Sequence, residues 1–437
     1  MNLYINPAKE LWGELCRRAE QNNDQIRERV AQIIARVESE RDEALFALAK
    51  EIDGVELQSL RVGDEEFRCA ESKISAELKQ AIAQAISNIE KFHRAQMPRT
   101  IEVETMPGVR CIQRPVPIER VGLYIPGGTA PLFSTVLMLA VPARVAGCGK
   151  VVLCTPTNKQ GQVAAEVLYA ARCAGVEEIY KVGGAQAIAA MALGTESVPK
   201  VDKIFGPGNR YVTLAKQMVS TRSTSIDMPA GPSEVMVMAD KSADARFVAA
   251  DMLSQAEHGL DSQALLVCDS EDFAHQVEQE LERQLSELSR KEYLTESLKN
   301  SRIVVFDSAD EMVEFANCYA AEHLIISMND AWAVAERIVA AGSIFIGNYS
   351  PESAGDYASG TNHTLPTSAW ARSCSGVNVD SFMRKMTLQE LTQESLYSLS
   401  KTIITMADAE GLEAHAAAVK IRIQNSKLSF EVLDRIL

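Results

Sequence analysis

From Arg120 to Ile346 the chain alternates short apolar runs with amphipathic stretches across short connections. That rhythm restricts it to parallel strands joined by crossover helices. The predicted strands are Val121 to Ile125, Val151 to Cys154, Ile179 to Val182, Lys203 to Phe205 and Glu234 to Met238. Between them the apolar spacing predicts helices over Phe133 to Gly147, Gln162 to Cys173, Ala185 to Leu193 and Tyr211 to Val219. The alternation then repeats. Helices Ala243 to Glu257, Asp272 to Leu288, Ala309 to Tyr319 and Ala331 to Ala341 interleave with strands Ala264 to Cys268, Ile303 to Phe306, His323 to Ser327 and Ser343 to Ile346. The expected fold class is α/β, with two Rossmann-like, doubly wound lobes over residues 106–236 and 237–380.

The first 105 residues read instead as a helical arm. Ile26, Val30, Ile33, Ile34 and Val37 recur at helical spacing, as do Leu45, Leu48 and Ala49, with Gly54 ending the pattern. A stripe of that kind needs another surface to cover it, and a second subunit is one way to supply it. Residues 381–437 turn helical again, ending in a predicted helix over Lys420 to Leu437.

At 437 residues the chain has ample apolar content for two cores. Its net charge of -15 is spread along the sequence, which argues against nucleic acid or an anionic membrane and suits a cationic or neutral small substrate. The nine cysteines show no Cys-x-x-Cys and no framework spacing, so they read as reduced thiols in a cytoplasmic protein. No secretory signal and no apolar run of roughly 20 residues is visible.

The chemistry concentrates around four of the six histidines, each in a short polar segment that also holds a carboxylate. Gln255 and His258 stand three apart in a helical segment that Gly259 ends, so both side chains can leave its last turn together. That is compatible with an ordinary helix-end histidine or with half of a mixed nitrogen and oxygen metal shell, which Asp356 and His415 can complete. Glu322-His323 opens the apolar strand Leu324-Ile325-Ile326. It therefore sits at a strand's amino end, whereas sites in parallel sheets gather at carboxyl ends, and a solvated loop pair explains it equally well. The stretch Ser350 to Pro366, with Asp356, Asn362 and His363, is expected to be a long working loop and not a core element.

Three glycine segments follow strands of the first lobe: Pro126-Gly127-Gly128-Thr129-Ala130-Pro131, Gly183-Gly184-Ala185-Gln186 and Gly206-Pro207-Gly208-Asn209. Each reads singly as a tight turn, and together they are as compatible with a nucleotide phosphate held on helix N-termini. No Gly-x-Gly-x-x-Gly is present. Asp227 to Glu234 is a rigid turn whose Ser233 can meet a ligand or simply link the lobes. Cys111 and Cys148 read as small buried residues and not as nucleophiles, and His93 and His275 as surface residues of charged helices.

Five stretches taken together resemble the histidinol dehydrogenase family: Gly122 to Gly128, Lys203 to Asn209, Asp227 to Glu234, Ser254 to Gly259 and Ser350 to His363. The resemblance runs from about Asp42 to His415, and the first twenty or so residues and the last twenty carry none of it. It departs from the family at Ala320-Ala321, where members often carry Gly-Pro. The resemblance implies that Gln255, His258, Asp356 and His415 hold one zinc ion. It further implies that Tyr124, Gln186 and Asn209 contact NAD. Glu322 and His323 would be the acid/base residues, and Ser233, His363 and Glu410 would join His323 and the zinc ligands against the substrate. The implied reaction takes L-histidinol to L-histidine through a bound aldehyde with two NAD reduced. Interlocked terminal segments would make a homodimer, with Glu410 and His415 offered to the other subunit's site.

Overall fold

The computed structural model describes residues 1–18, 24–127, 131–222, 224–229 and 231–424. Gly128, Thr129, Ala130 and Ala230 lie outside the described residues, as does the helix expected at the C-terminus from residue 425 on. The chain divides into two compact units, one of Met1–Met97 with Ile118–Phe382, the other of Pro98–Pro117 with Met383–Leu437. Strands are numbered along the chain: β1 (Asn2–Ile5), β2 (Ile101–Met106), β3 (Val109–Pro117), β4 (Arg120–Tyr124), β5 (Lys150–Cys154), β6 (Glu178–Tyr180) and β7 (Lys203–Phe205). They continue with β8 (Ser225–Ile226), β9 (Glu234–Ala239), β10 (Gln263–Cys268), β11 (Arg302–Val305), β12 (His323–Ser327), β13 (Ser343–Ile346) and β14 (Met383–Leu391).

The larger unit contains both expected lobes except residues 106–117 of the first, which belong to the smaller unit. Its first sheet is parallel throughout, in the order β6-β5-β4-β7-β8. Two strands, β5 and β6, are laid down to one side of β4 and the next two, β7 and β8, to the other, so β4 and β7 flank a topological switch point. The second sheet repeats this with β11-β10-β9 on one side and β12-β13 on the other, again all parallel. Period-two alternation sends Val235, Val237, Leu266, Ile303 and Ile325 to one face, under helices Ala245–Ala256 and Glu271–Glu287. Met236, Met238, Leu265, Val304, Leu324 and Ile326 go to the other, against Trp12, Phe306, Phe315 and Tyr319.

Two readings of the N-terminal arm change. β1 is a strand within the supposed helical segment, pairing in parallel with β11 across three hundred residues, Asn2 opposite Arg302. The apolar stripe is covered by the same chain: Val30, Ile33, Ile34, Val37, Leu45 and Leu48 share one core with Ile188, Met191, Val212 and Val219 of the first lobe. Burying each such side chain is worth about 1.5–3 kcal/mol, so the stripe needs no second subunit.

The smaller unit is not wholly helical. β14 pairs antiparallel with β3, which pairs antiparallel with β2, and helices Gln393–Ala409 and Glu413–Gln424 follow. Thr392 caps the first of these with its hydroxyl on Ser395 N. No helix among the described residues is long and apolar enough to cross a membrane.

Candidate functional site

The first lobe gathers its candidate residues at the carboxyl edge of the sheet. Tyr124 ends β4, and its buried hydroxyl accepts a hydrogen bond from Gly184 N at 3.0 Å, pinning the turn that starts helix Gly184–Leu193. Gln186 lies buried in that helix's first turn. Asn209 caps helix Arg210–Ser220, its Oδ1 accepting from Tyr211 N and Val212 N. Between them the chain passes through Gly206 at φ +124°, where a Cβ would come within 2.1 Å of Tyr124 O. Only glycine tolerates both the conformation and the approach. A buried ion pair braces the same turn: Lys216 Nζ meets Asp227 Oδ1 at 2.5 Å, while Gly206 O accepts from Lys216 and Gly206 N donates to Asp227.

The second lobe places its candidates at the opposite, amino edge of its own sheet. A helix that follows a parallel strand runs back along it, so helix Ala245–Ala256 ends beside the starts of β9 and β12. Gln255 is in its last turn, and His258 lies just beyond it. The short helix Glu352–Tyr357 packs here too. That corrects the reading of Ser350 to Pro366 as loop throughout, because Pro351 in extended conformation opens a helical turn at Glu352.

Three ligand-bearing side chains from two segments converge: one ligand atom each from His258, Glu352 and Asp356 lies within 4.8 Å of the others. His258 Nε2 is 3.8 Å from Asp356 Oδ2. With its amide turned so that nitrogen faces the carboxylate, Gln255 donates to Glu352 Oε1 at 2.7 Å and Oε2 at 3.2 Å, which leaves the amide oxygen for a cation. Glu352 was not among the expected site residues. It stands four before Asp356, the spacing that puts two side chains on one helix face, and that signal was present in the sequence.

Glu322 and His323 sit in the same place, both almost fully buried. Glu322 Oε2 accepts from Glu234 N at 3.0 Å. His323 Nδ1 is 3.4 Å from Glu234 O, 3.6 Å from Glu322 Oε2 and 3.6 Å from Glu352 Oε1. Three acceptor oxygens around Nδ1 assign the ring proton to it. His323 Nε2, 3.8 Å from Asp356 Oδ1, has no hydrogen-bond partner. A buried nitrogen with a free lone pair is rare in a folded protein, and it marks a place where a ligand is expected.

The charges explain what that ligand carries. Burial pushes Glu322 well above the carboxylate range, with Glu234 and Asp356 adding to the shift. It does the same to Glu352, where Asp356, Glu322 and Asp251 add theirs. Asp251 and Asp356 are each pushed up to about 7 by burial. Burial holds His323 down to about 3 and His363 to about 4. His258 is lowered the same way, although 42% of its side-chain surface stays accessible, so its shift is the softer one. Among the described residues no lysine or arginine pairs with Glu322, Glu352 or Asp356. Crowded acidic groups beside a neutral imidazole fit a cation, whether a metal ion or a protonated amine.

The remaining expected residues are placed differently. His363 is close, with Nδ1 on Asp356 O at 3.0 Å and Nε2 on Thr135 Oγ1 at 3.2 Å, so both ring nitrogens already have protein partners. Ser233 is half-buried just ahead of β9, its carbonyl accepting from Gln263 N. Glu410 ends helix Gln393–Ala409 as its C-cap and His415 lies in the first turn of Glu413–Gln424, both exposed in the smaller unit. His275 is at the surface as expected, between Glu271 and Glu278. His93 is not. It continues the apolar face of Ile82, Ala85 and Ile89 and is fully buried, its Nδ1 on Ile89 O at 2.8 Å.

Comparison with known proteins gives one answer. The family model described as histidinol dehydrogenase matches residues 16–423. A histidinol dehydrogenase of Bacteroides thetaiotaomicron is 54% identical over 427 residues, covering 98% of this chain and 100% of the relative. That of Aliivibrio fischeri is 54% identical over 397 residues, with 90% of each chain covered. The crystal structure of histidinol dehydrogenase from Elizabethkingia anophelis superposes with a TM-score of 0.95 at 47% identity, covering 97% of this chain and 98% of that one. The chain is an oxidoreductase and belongs to the histidinol dehydrogenase family.

Proposed function

We propose that this chain oxidises L-histidinol to L-histidine through bound L-histidinaldehyde, reducing two NAD, as a cytoplasmic homodimer with one zinc ion per subunit. The observation that carries the reading is the unpartnered, buried Nε2 of His323 facing the cluster of His258, Glu352 and Asp356. Gln255, His258 and Asp356 would hold the metal, with His415 supplied by the second subunit. When bound, zinc would fix the substrate's imidazole and amine nitrogens, and NAD would accept hydride from the carbinol carbon.

The protein's own part is proton handling. His323 takes the alcohol proton at Nε2 while its Nδ1–H stays on the oxygens of Glu234, Glu322 and Glu352. Glu322 takes a proton from the water that hydrates the aldehyde before the second hydride leaves. A buried carboxylate that resists ionisation is a strong base once ionised, and a metal cation held among these acids favours that form. Ser233, His363 and Glu410 complete the substrate's surroundings.

The first lobe, residues 106–236, would take the cofactor. Tyr124, Gln186 and Asn209 stand at the carboxyl edge beside the β4/β7 switch point, where doubly wound sheets bind nucleotides. Residues 237–380 would carry metal and catalysis, and 381–437 the part offered to the partner. Support for a dimer comes from the surroundings of Glu410 and His415, where Met406, Leu412 and Ile421 are 61%, 42% and 59% exposed. The test is NADH formation on L-histidinol before and after chelation. Two NADH per histidine, lost with the metal and restored by zinc, is the expected result; turnover that ignores chelation overturns the zinc assignment.

A further inference from the structure

We propose that Arg18 is a positioning residue for catalysis, acting through a clamp on Glu234 that sets the geometry of both Glu322 and His323. The proposal rests on the reading of that pair as the acid/base residues. It gives a role to a segment whose sequence carried no usable signal.

Glu234 is the first residue of β9, the strand between β10 and β12. Its main chain touches both members of the pair: its N–H donates to Glu322 Oε2 at 3.0 Å, and its carbonyl faces His323 Nδ1 at 3.4 Å. One peptide segment thus holds the carboxylate of one residue and the ring orientation of the next. β9 and β12 lie in register, His323 opposite Val235, so a shift at the start of β9 is felt directly across the sheet.

The Glu234 side chain points the other way and is anchored. Its carboxylate is 1% exposed and meets Arg18 Nε at 2.6 Å, and its second oxygen accepts from Ser368 N. Arg18 has no freedom left. Its Nη1 donates to Cys16 O at 2.8 Å, its Nη2 to Tyr319 O at 2.8 Å, and the guanidinium lies 3.7 Å from the centre of the Tyr319 ring. A planar fork held on four sides fixes an anion's position in a way that a flexible ammonium does not. The clamp therefore runs from the N-terminal segment through a buried carboxylate to the main chain that carries the pair. Removing Arg18 leaves the Glu234 carboxylate buried without a counter-charge, and the start of β9 has to adjust.

A positioning role separates from a structural one in steady-state kinetics on the zinc-loaded, full-length enzyme with L-histidinol and NAD. Arg18→Met should lower kcat by about 10- to 100-fold, the scale of a small misplacement of reacting groups. Its KM should stay within about twofold and its zinc content should be unchanged, since Arg18 touches neither substrate nor metal. Arg18→Lys should restore part of kcat, and Glu234→Gln should resemble Arg18→Met; either serves if Arg18→Met does not fold. Added to Glu322→Gln, Arg18→Met should cost less than about twofold of the residual rate, because the two act on one geometry. Losses that multiply, or an unchanged kcat in both Arg18→Met and Glu234→Gln beside an inactive Glu322→Gln, overturn the clamp and leave the base assignment intact. A Glu322→Gln enzyme with wild-type kcat overturns the base assignment and the clamp with it.

Discussion

The Gln255 amide nitrogen and Glu352 Oε1 meet at 2.7 Å, and this bond decides which atom of Gln255 faces the space shared with His258 and Asp356. An amide is an ambiguous ligand, since its oxygen binds cations and its nitrogen repels them. Glu352 resolves the ambiguity by taking the nitrogen. Glu352→Gln keeps the volume and removes the charge. It should weaken zinc binding by about 10- to 100-fold, as loss of an orienting partner does elsewhere. Competition with a chromophoric chelator reads this directly, and an unchanged affinity would show that Gln255 is oriented by something else.

The acidic cluster makes metal binding and stability depend on pH. Burial holds Asp251 and Asp356 protonated up to about 7 in the folded chain, against an ordinary value of 3.8. Burial raises Glu322 and Glu352 well above the ordinary carboxylate range as well. Between pH 4 and 6.5 the buried histidines oppose them, because His323 and His363 are lowered to about 3 and 4 and so stay neutral in the fold while protonated in the unfolded chain. Above 6.5 the unfolded histidines lose their remaining protons and the carboxyls dominate the difference. The folded state then binds more protons than the unfolded one, so metal-free stability should fall as pH rises from 6.5 to 8. Zinc needs those groups ionised, so its effect on Tm should grow over the same window. Scanning calorimetry with and without metal checks both; a metal-free Tm that rises there would contradict the assignment.

The brace in the first lobe is testable by stability alone. Lys216 and Asp227 are almost fully buried against each other beside Gly206. Lys216→Met leaves Asp227 buried without its counter-charge and should destabilise the protein by about 3–5 kcal/mol. Replacing both by methionine and leucine should recover much of that loss. Urea unfolding of both single variants and the double variant measures the difference, and single losses that simply add in the double variant would mean that the pair is not coupled.

The lobes were legible because parallel strands buried on both faces are continuous apolar runs, as at Val235 to Ala239 or Leu324 to Ile326. β1 and β14 were not. Asn2–Ile5 is four residues long, and its partner lies three hundred positions away. In β14 the apolar residues Met383, Met386, Leu388 and Leu391 are spaced by three, two and three, which suits a helix as well as a strand. At the site, the spacing of Gln255 and His258 announced itself, and Glu322-His323 was ambiguous because it opens a strand. The structure brings that position beside Gln255 and His258, because helix Ala245–Ala256 returns to the amino edge of its sheet. Arg18 carried no local signal, since its partner Glu234 is 216 residues away.

The placement of Glu410 and His415 permits a test of the proposed dimer that needs no structure of one. Both are exposed on the smaller unit, next to exposed apolar side chains. If each site combines Glu322 of one subunit with His415 of the other, a Glu322→Gln chain and a His415→Asn chain are each inactive as homodimers. In their hybrid, one site carries both defects and the other carries neither. Random reassortment of equal amounts makes about half the dimers hybrid, so about a quarter of all sites are intact. Mixing the two inactive proteins under conditions that exchange subunits should therefore restore about a quarter of wild-type kcat per site, with KM unchanged because the rescued site is native in composition. Sites built within one chain predict no recovery at any ratio, since every subunit then keeps its own defect.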